Sequence, residues 1–204
     1  GGIIQVFTQS KTSYKLQEGI ARAQENGRIA LYFFEKYLRR AGYPMDALPQ
    51  INGFANDKVA AASFNNTPLE TGSSDVLVLQ YRAPAGGTFD CAGRFVPGNE
   101  FIAMRFYLSA GELKCETADT ASGTKQDRTL MEGVSSLQLT YAEDNDGDGI
   151  PDGNYRSAAG AIDWSNVVAV QVGISIPVHA ANHSHADKGG QHLPFSTTVP
   201  IRNQ

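Results

Sequence analysis

The sequence predicts an α+β protein: a long N-terminal helix packed on antiparallel β-structure. Three observations carry this. No proline occurs before Pro44, and helix formers dominate up to that point. From Asp75 onward, short apolar runs alternate with polar residues. Turn residues separate those runs, and no helical period lies between them, which favours consecutive antiparallel strands. The helix, residues 1–42, and a β-rich head, residues 43–204, are expected to form one domain.

The helix is expected over residues 3–41. Ile20, Ala23, Gly27, Ala30, Phe34 and Leu38 recur at steps of three and four, which is the spacing of one helical face. Lys36, Arg39 and Arg40 crowd its last turn, where cations meet the negative end of the helix dipole. Gly42 fits a left-handed cap, and Pro44 stops the helix. At about 1.5 Å per residue this is a rod of roughly 58 Å, longer than a domain of this size is wide. Its first turns should protrude and need another partner. Gly19 and Gly27 each cost up to about 1 kcal/mol against alanine, and close packing against a neighbour is one reason to keep them.

Residues 43–74 read as an irregular connection. Strands are expected at 76–81, 101–108, 112–115, 133–142, 166–178 and 195–201. The second and third form a hairpin around Ser109-Ala110-Gly111. Leu137, Leu139 and Tyr141 share one face of the fourth. In the fifth, Val168, Val170, Val172, Ile174, Ile176 and Val178 face one way. Trp164 is expected to pack where that strand begins.

Composition narrows the function. Hydrophobic residues make up 41% and charged residues 19% of 204, as in ordinary folded proteins. A net charge of −4 gives no reason to expect nucleic acid. No apolar run is long enough to span a bilayer. The chain opens at Gly1-Gly2, directly inside the helical pattern, so it is expected to be the trimmed remainder of a longer protein. No nucleophile elbow, zinc-protease motif or phosphate loop is present; "GGTFDCAGR" is a glycine-bearing turn without the lysine that a phosphate loop needs. An enzyme is not expected, nor a small-molecule substrate. Cys91 and Cys115 are either one disulfide or two buried thiols; an even count near turn signals favours the disulfide.

The densest polar motif is "DNDGDGIPDG", residues 144–153. Hard carboxylate oxygens at alternating positions suit calcium better than zinc. The expected ligands are Asp144, Asp146, Asp148, the backbone carbonyl of Ile150, and Asp152. Gly149 stands where such a loop bends sharply. The position that carries a bidentate glutamate in helix-loop-helix sites is Tyr155 here. The plainer reading is a solvated turn, since Asp, Asn and Gly dominate turns. His179, His183, His185 and His192 share one segment rich in small residues, which reads as a solvated loop rather than a zinc or copper site.

The segments "QENGRIALYFFEKYLRRAGY", "SDVLVLQY", "DCAGR" with "LKC", "LMEGVSSLQLTYAEDNDGDG", "WSNVVAVQVGISI" and "FSTTVPIRN" together resemble, in order and spacing, PilW-type minor pilins. That family is related to the minor pseudopilin J of type II secretion. The resemblance implies a pilin-like fold and paired cysteines. It also implies a leader and an apolar stretch ahead of Gly1, which anchor the precursor in the bacterial inner membrane, facing the periplasm, before it enters the pilus. Expected partners are other minor pilins and a tip adhesin. Two alternatives stand beside it: a minor pseudopilin of type II secretion, and a free-standing calcium-dependent binding module, for example for carbohydrate.

Overall fold

The computed structural model describes residues 2–41, 59–60, 70–71, 74–118, 125–157, 162–163, 166–178 and 191–201. Helix α1 runs Gly2–Leu38, and a turn carries the chain to Ala41. Of the expected face, Ala23, Gly27, Ala30, Phe34 and Leu38 are buried and Ile20 is half-buried, with Gly19 buried beside it. Before Gly19 the face opens, with Tyr14 70% and Leu16 41% exposed. Arg39 and Arg40 lie just past the last helical residue, and Gly42 lies outside the described residues.

Twelve strands follow among the described residues. β1 (Val59–Ala60) and β2 (Glu70–Thr71) fall inside the stretch expected to be irregular, and β3 (Ser74–Asp75) straddles its end. Strands of two residues cannot show alternation, so the sequence pattern hid them. β4 (Leu77–Arg82), β7 (Phe101–Ser109), β8 (Glu112–Ala118) and β9 (Lys125–Glu132) join β1 in a five-stranded antiparallel sheet, ordered β1-β4-β7-β8-β9. Between β4 and β7 stands a small hairpin of β5 (Thr88–Phe89) and β6 (Phe95–Val96). β10 (Ser136–Glu143), β11 (Val167–Pro177) and β12 (His192–Pro200) form a second antiparallel sheet, ordered β10-β11-β12. β12 starts three residues before the expected strand, and β9 was not expected at all. β9 is an edge strand with mostly exposed side chains, so it carries no apolar alternation, whereas β12 alternates, with Leu193, Phe195, Thr197 and Val199 turned inward.

The β7–β8 turn shows why local chemistry matters. Ala110 (φ 53°) and Gly111 (φ 77°) both take left-handed backbone, which a two-residue hairpin loop requires. In β11, Val170, Val172, Ile174 and Ile176 are buried as expected, and Val178 just past the strand is buried too. The alternation breaks at its start, where Ala169 is buried and Val168 only half so; there the register shifts against β10. One core binds these layers, with Phe34 and Leu38 of α1, Leu79 and Phe106 of the five-stranded sheet, and Leu139, Val172 and Val199 of the second.

Two contacts fix α1 against β12. A Cβ on Gly27 would lie 2.6 Å from ring atoms of Phe195, and Thr197 Oγ1 donates to Glu35 Oε1 at 2.9 Å. Gly27→Ala is therefore expected to lower stability by about 1–3 kcal/mol, although alanine is the better helix former. Chemical denaturation checks this, and Phe195→Ala in the same chain should recover part of the loss.

The edge of β10 is closed by side chains of β3 and, at Tyr141, by a main-chain bridge to Arg156. Ser74 Oγ accepts the Leu137 N–H at 3.3 Å, and Asp75 Oδ2 accepts the buried Leu139 N–H at 2.7 Å. Asp75→Ala would orphan that amide and should cost about 1–3 kcal/mol, while Asp75→Asn keeps an acceptor and should cost less. Comparing the two denaturation midpoints tests it.

Candidate functional site

β10 ends at Glu143, and the acidic loop leaves the sheet there. Three hydrogen bonds anchor its base. Asp144 N–H donates to the Asn166 carbonyl at 2.9 Å, and Asp152 N–H to the Glu143 carbonyl at 2.7 Å. The buried Glu143 carboxylate accepts the Asp163 N–H at 2.7 Å and pairs with Arg156 at 3.5 Å. Glu143 is thus committed to the scaffold.

Asp144 is the organising residue. Its two carboxylate oxygens accept N–H groups from Gly147 (2.7 Å) and Gly149 (2.8 Å). The Gly149 amide, with help from Gly147, holds its carboxyl below the usual range. The loop turns at Gly149, whose φ of 83° suits glycine. Asp146 accepts from the Asp148 amide, which pulls its pKa down, but repulsion from Asp148 and Asp152 outweighs this and leaves it raised. Asp152 accepts the Asn145 N–H at 2.7 Å.

Of the five expected ligands, the fold gathers three. Carboxylate oxygens of Asp144, Asp146 and Asp152 lie within 4.8 Å of one another. Asp148 stands apart from this trio, its Oδ1 accepting the Ile150 N–H at 2.7 Å. The Ile150 side chain is 64% exposed. Three hard oxygens at this spacing fit the donor set of a calcium ion, with further oxygens from backbone or water.

His192 begins β12 and is exposed, its Nδ1 3.1 Å from Ser135 Oγ. His179, His183, His185 and Trp164 lie outside the described residues. Cys91 and Cys115 form a disulfide, with Cα atoms 6.1 Å apart. It ties the β5–β6 hairpin to β8. That hairpin carries exposed Phe89 and Phe95, which sequence reasoning passed over; the visible signal was a phenylalanine on each side of "DCAGR".

The contacts of α1 also orient the molecule. β12 advances from Phe195 to Thr197 as α1 advances from Gly27 to Glu35. Pro200 pairs with Ala169, and Glu143 with Val167, so the acidic loop springs from the end where α1 finishes. Arg40 Nη1 donates to Thr88 Oγ1 at 3.4 Å, which puts the β5–β6 hairpin at the same end. Tyr14 and Leu16 stand at the other.

One N-terminal helix, buried along one face only in its second half, and antiparallel sheets beneath it define a pilin-like fold. A chain in the structure of the GspK-GspI-GspJ complex from the enterotoxigenic Escherichia coli type 2 secretion system shares it, with a TM-score of 0.51 at 12% identity, over 88% of this chain and 97% of that one. The type IV-like pilin TTHA1219 from Thermus thermophilus aligns over 66% of this chain and 81% of that one, at 14% identity and a TM-score of 0.42, too low to add to the argument. Residues 105–193 match the family described as type IV pilus-assembly protein W, which bears out the resemblance to PilW-type proteins read from the sequence. No curated protein matches the chain.

Proposed function

We propose that this chain is a structural minor pilin that helps prime and assemble a type IV pilus, at or near the tip. The carrying observation is the division of α1. One face of its second half is buried by its own sheets, while none of the described side chains before Gly19 is buried, Tyr14 and Leu16 among them. Apolar side chains left uncovered on a helix are suited to pack against other helices. The match of residues 105–193 to a pilus-assembly family supports the same reading. Other minor pilins, and a tip adhesin beyond them, are the partners. The chain takes no part in catalysis. No described helix is long and apolar enough to cross a membrane.

Deleting the gene and counting surface pili tests this. Loss of pili, restored by the wild-type gene but not by one carrying Tyr14→Asp and Leu16→Asp, is the expected result. Unchanged piliation with impaired protein secretion would replace it with the second reading, a minor pseudopilin of type II secretion. The fold shared with the secretion-system structure keeps that reading in view.

The acidic loop adds calcium to the proposal, as a structural ion held by Asp144, Asp146 and Asp152. Asp148 and the carbonyl of Ile150 complete the sequence-based set. Saturating calcium, at a hundred times its dissociation constant, would stabilise the fold by about 2.7 kcal/mol and raise the unfolding midpoint by roughly 5–10 °C over chelator. Asp146→Ala with Asp152→Ala should abolish the rise. Equal midpoints in chelator, calcium and magnesium would reduce the loop to a solvated turn.

A further inference from the structure

The β5–β6 hairpin presents a ready-made contact surface. Phe89 and Phe95 are 61% and 53% exposed, and their rings meet edge to face at 5.5 Å. The hairpin beneath them is held from several sides. Buried Asp90 accepts the Ala92 and Arg94 amides at 3.0 and 2.9 Å, and the Arg94 Nε–H at 3.1 Å. Cys91 is bonded to Cys115. Gly98 passes so close to Ala85 that a Cβ there would stand 2.0 Å from its carbonyl oxygen. Aromatic side chains fixed in this way lose little conformational freedom on binding, which favours them as anchors.

The surroundings are basic. Arg40 reaches Thr88, and an Arg128 nitrogen lies 3.1 Å from where a Gly93 Cβ would stand. The one acid within the hairpin, Asp90, is buried and paired with Arg94. Arg40 and Arg128 thus flank the hairpin on a protein of net charge −4, with Glu100 as an exposed acid at its base. We propose that the hairpin is a docking knob for a different protein subunit, one that presents carboxylates around an apolar recess. Electrostatic complementarity would orient that partner, and the two phenylalanines would fill the recess.

Position favours this occupant over two others. The hairpin stands at the C-terminal end of α1, and Tyr14 lies about 36 Å back along the helix from Leu38 at about 1.5 Å per residue. A membrane met through the N-terminal half of α1 is therefore at the far end. A second copy stacked in the same direction would bring its helix and not its acidic loop to the hairpin, and that helix holds five basic residues against three acidic ones. The inference rests on the pilin reading for the direction of stacking.

The test uses the full-length chain in the cells that produce it, with the photo-cross-linker benzoylphenylalanine at Phe95 in one strain and at Tyr14 in another. The expected result at Phe95 is one adduct with another protein, whose cross-linked peptide contains Asp or Glu. Arg128→Glu should lower its yield about tenfold while Arg128→Lys preserves it, since like charges across an interface are strongly disfavoured. The Tyr14 adducts should not change with either. Gel mobility of the Cys91–Cys115 bridge confirms that each variant is folded. A Phe95 adduct with lipid or a second copy, a partner peptide without carboxylates, indifference to Arg128→Glu, or no adduct would overturn the inference. Tyr14 adducts with pilin-like chains uphold the pilin reading whatever Phe95 shows. Their absence beside a Phe95 adduct breaks that reading alone.

Discussion

Phe34→Ala is expected to destabilise the protein by about 3–5 kcal/mol, the usual cost of emptying a buried phenylalanine site. Phe34 is 1% exposed and meets Phe106 of β7 at 5.4 Å between ring centroids. Tyr37, one turn on, meets the same ring at 5.6 Å. Phe106 therefore receives two aromatic side chains from α1, and removing one leaves a cavity that the other is too constrained to fill. A chain of this size should lose roughly 10 °C of midpoint. Tyr32→Ala is the control. Tyr32 is 63% exposed, so its loss should cost no more than about 0.5 kcal/mol. Equal effects from the two would mean that α1 does not pack by the face containing Phe34. Unequal effects, with protease cutting α1 only in Phe34→Ala, would show that this contact clamps the helix to the sheets.

The face of α1 was legible because a helix repeats its message. Ala23, Gly27, Ala30, Phe34 and Leu38 state the same geometry five times, and each is buried. β11 was legible for the same reason at a period of two. β9 was not, because its backbone pairs with β8 while Lys125, Gln126, Asp127, Arg128 and Thr129 stay exposed. Pairing of main chain alone leaves no trace in side-chain pattern. The candidate site divides similarly. Alternating aspartates announced an oxygen-rich loop, but spacing could not say that Asp148 turns toward the Ile150 amide while Asp144, Asp146 and Asp152 converge. That choice is made by Gly147 and Gly149, whose amides gather on Asp144. Phe89 and Phe95 were invisible as surface residues because exposure depends on what the rest of the chain covers, and aromatic residues are more often core.

Removing the disulfide, with Cys91→Ala and Cys115→Ala together, is expected to cost about 3 kcal/mol on the loop-closure argument for its separation of 24 residues. Its effect should also be local. Cys115 is fully buried in the face of β8 that enters the core, opposite Phe106, while Cys91 belongs to the turn between β5 and β6. The bond is thus a strut from the five-stranded sheet to a hairpin whose own ladder pairs only Thr88 with Val96 and Phe89 with Phe95. Two such pairs are too few to hold a hairpin in water. Hydrogen exchange separates the global from the local loss. Amides of residues 88–96 should lose far more protection than those of β11, the central strand of the other sheet. The Asp90 carboxylate offers the competing support, since it gathers the Ala92 and Arg94 amides and the Arg94 side chain. If the amides of residues 88–96 stay protected without the disulfide, that carboxylate cage suffices, and Asp90→Asn should then release the hairpin where loss of the cysteines did not. If they exchange freely, the covalent strut is what keeps Phe89 and Phe95 presented, and reduction should weaken any contact made through them while leaving the contacts of Tyr14 in place.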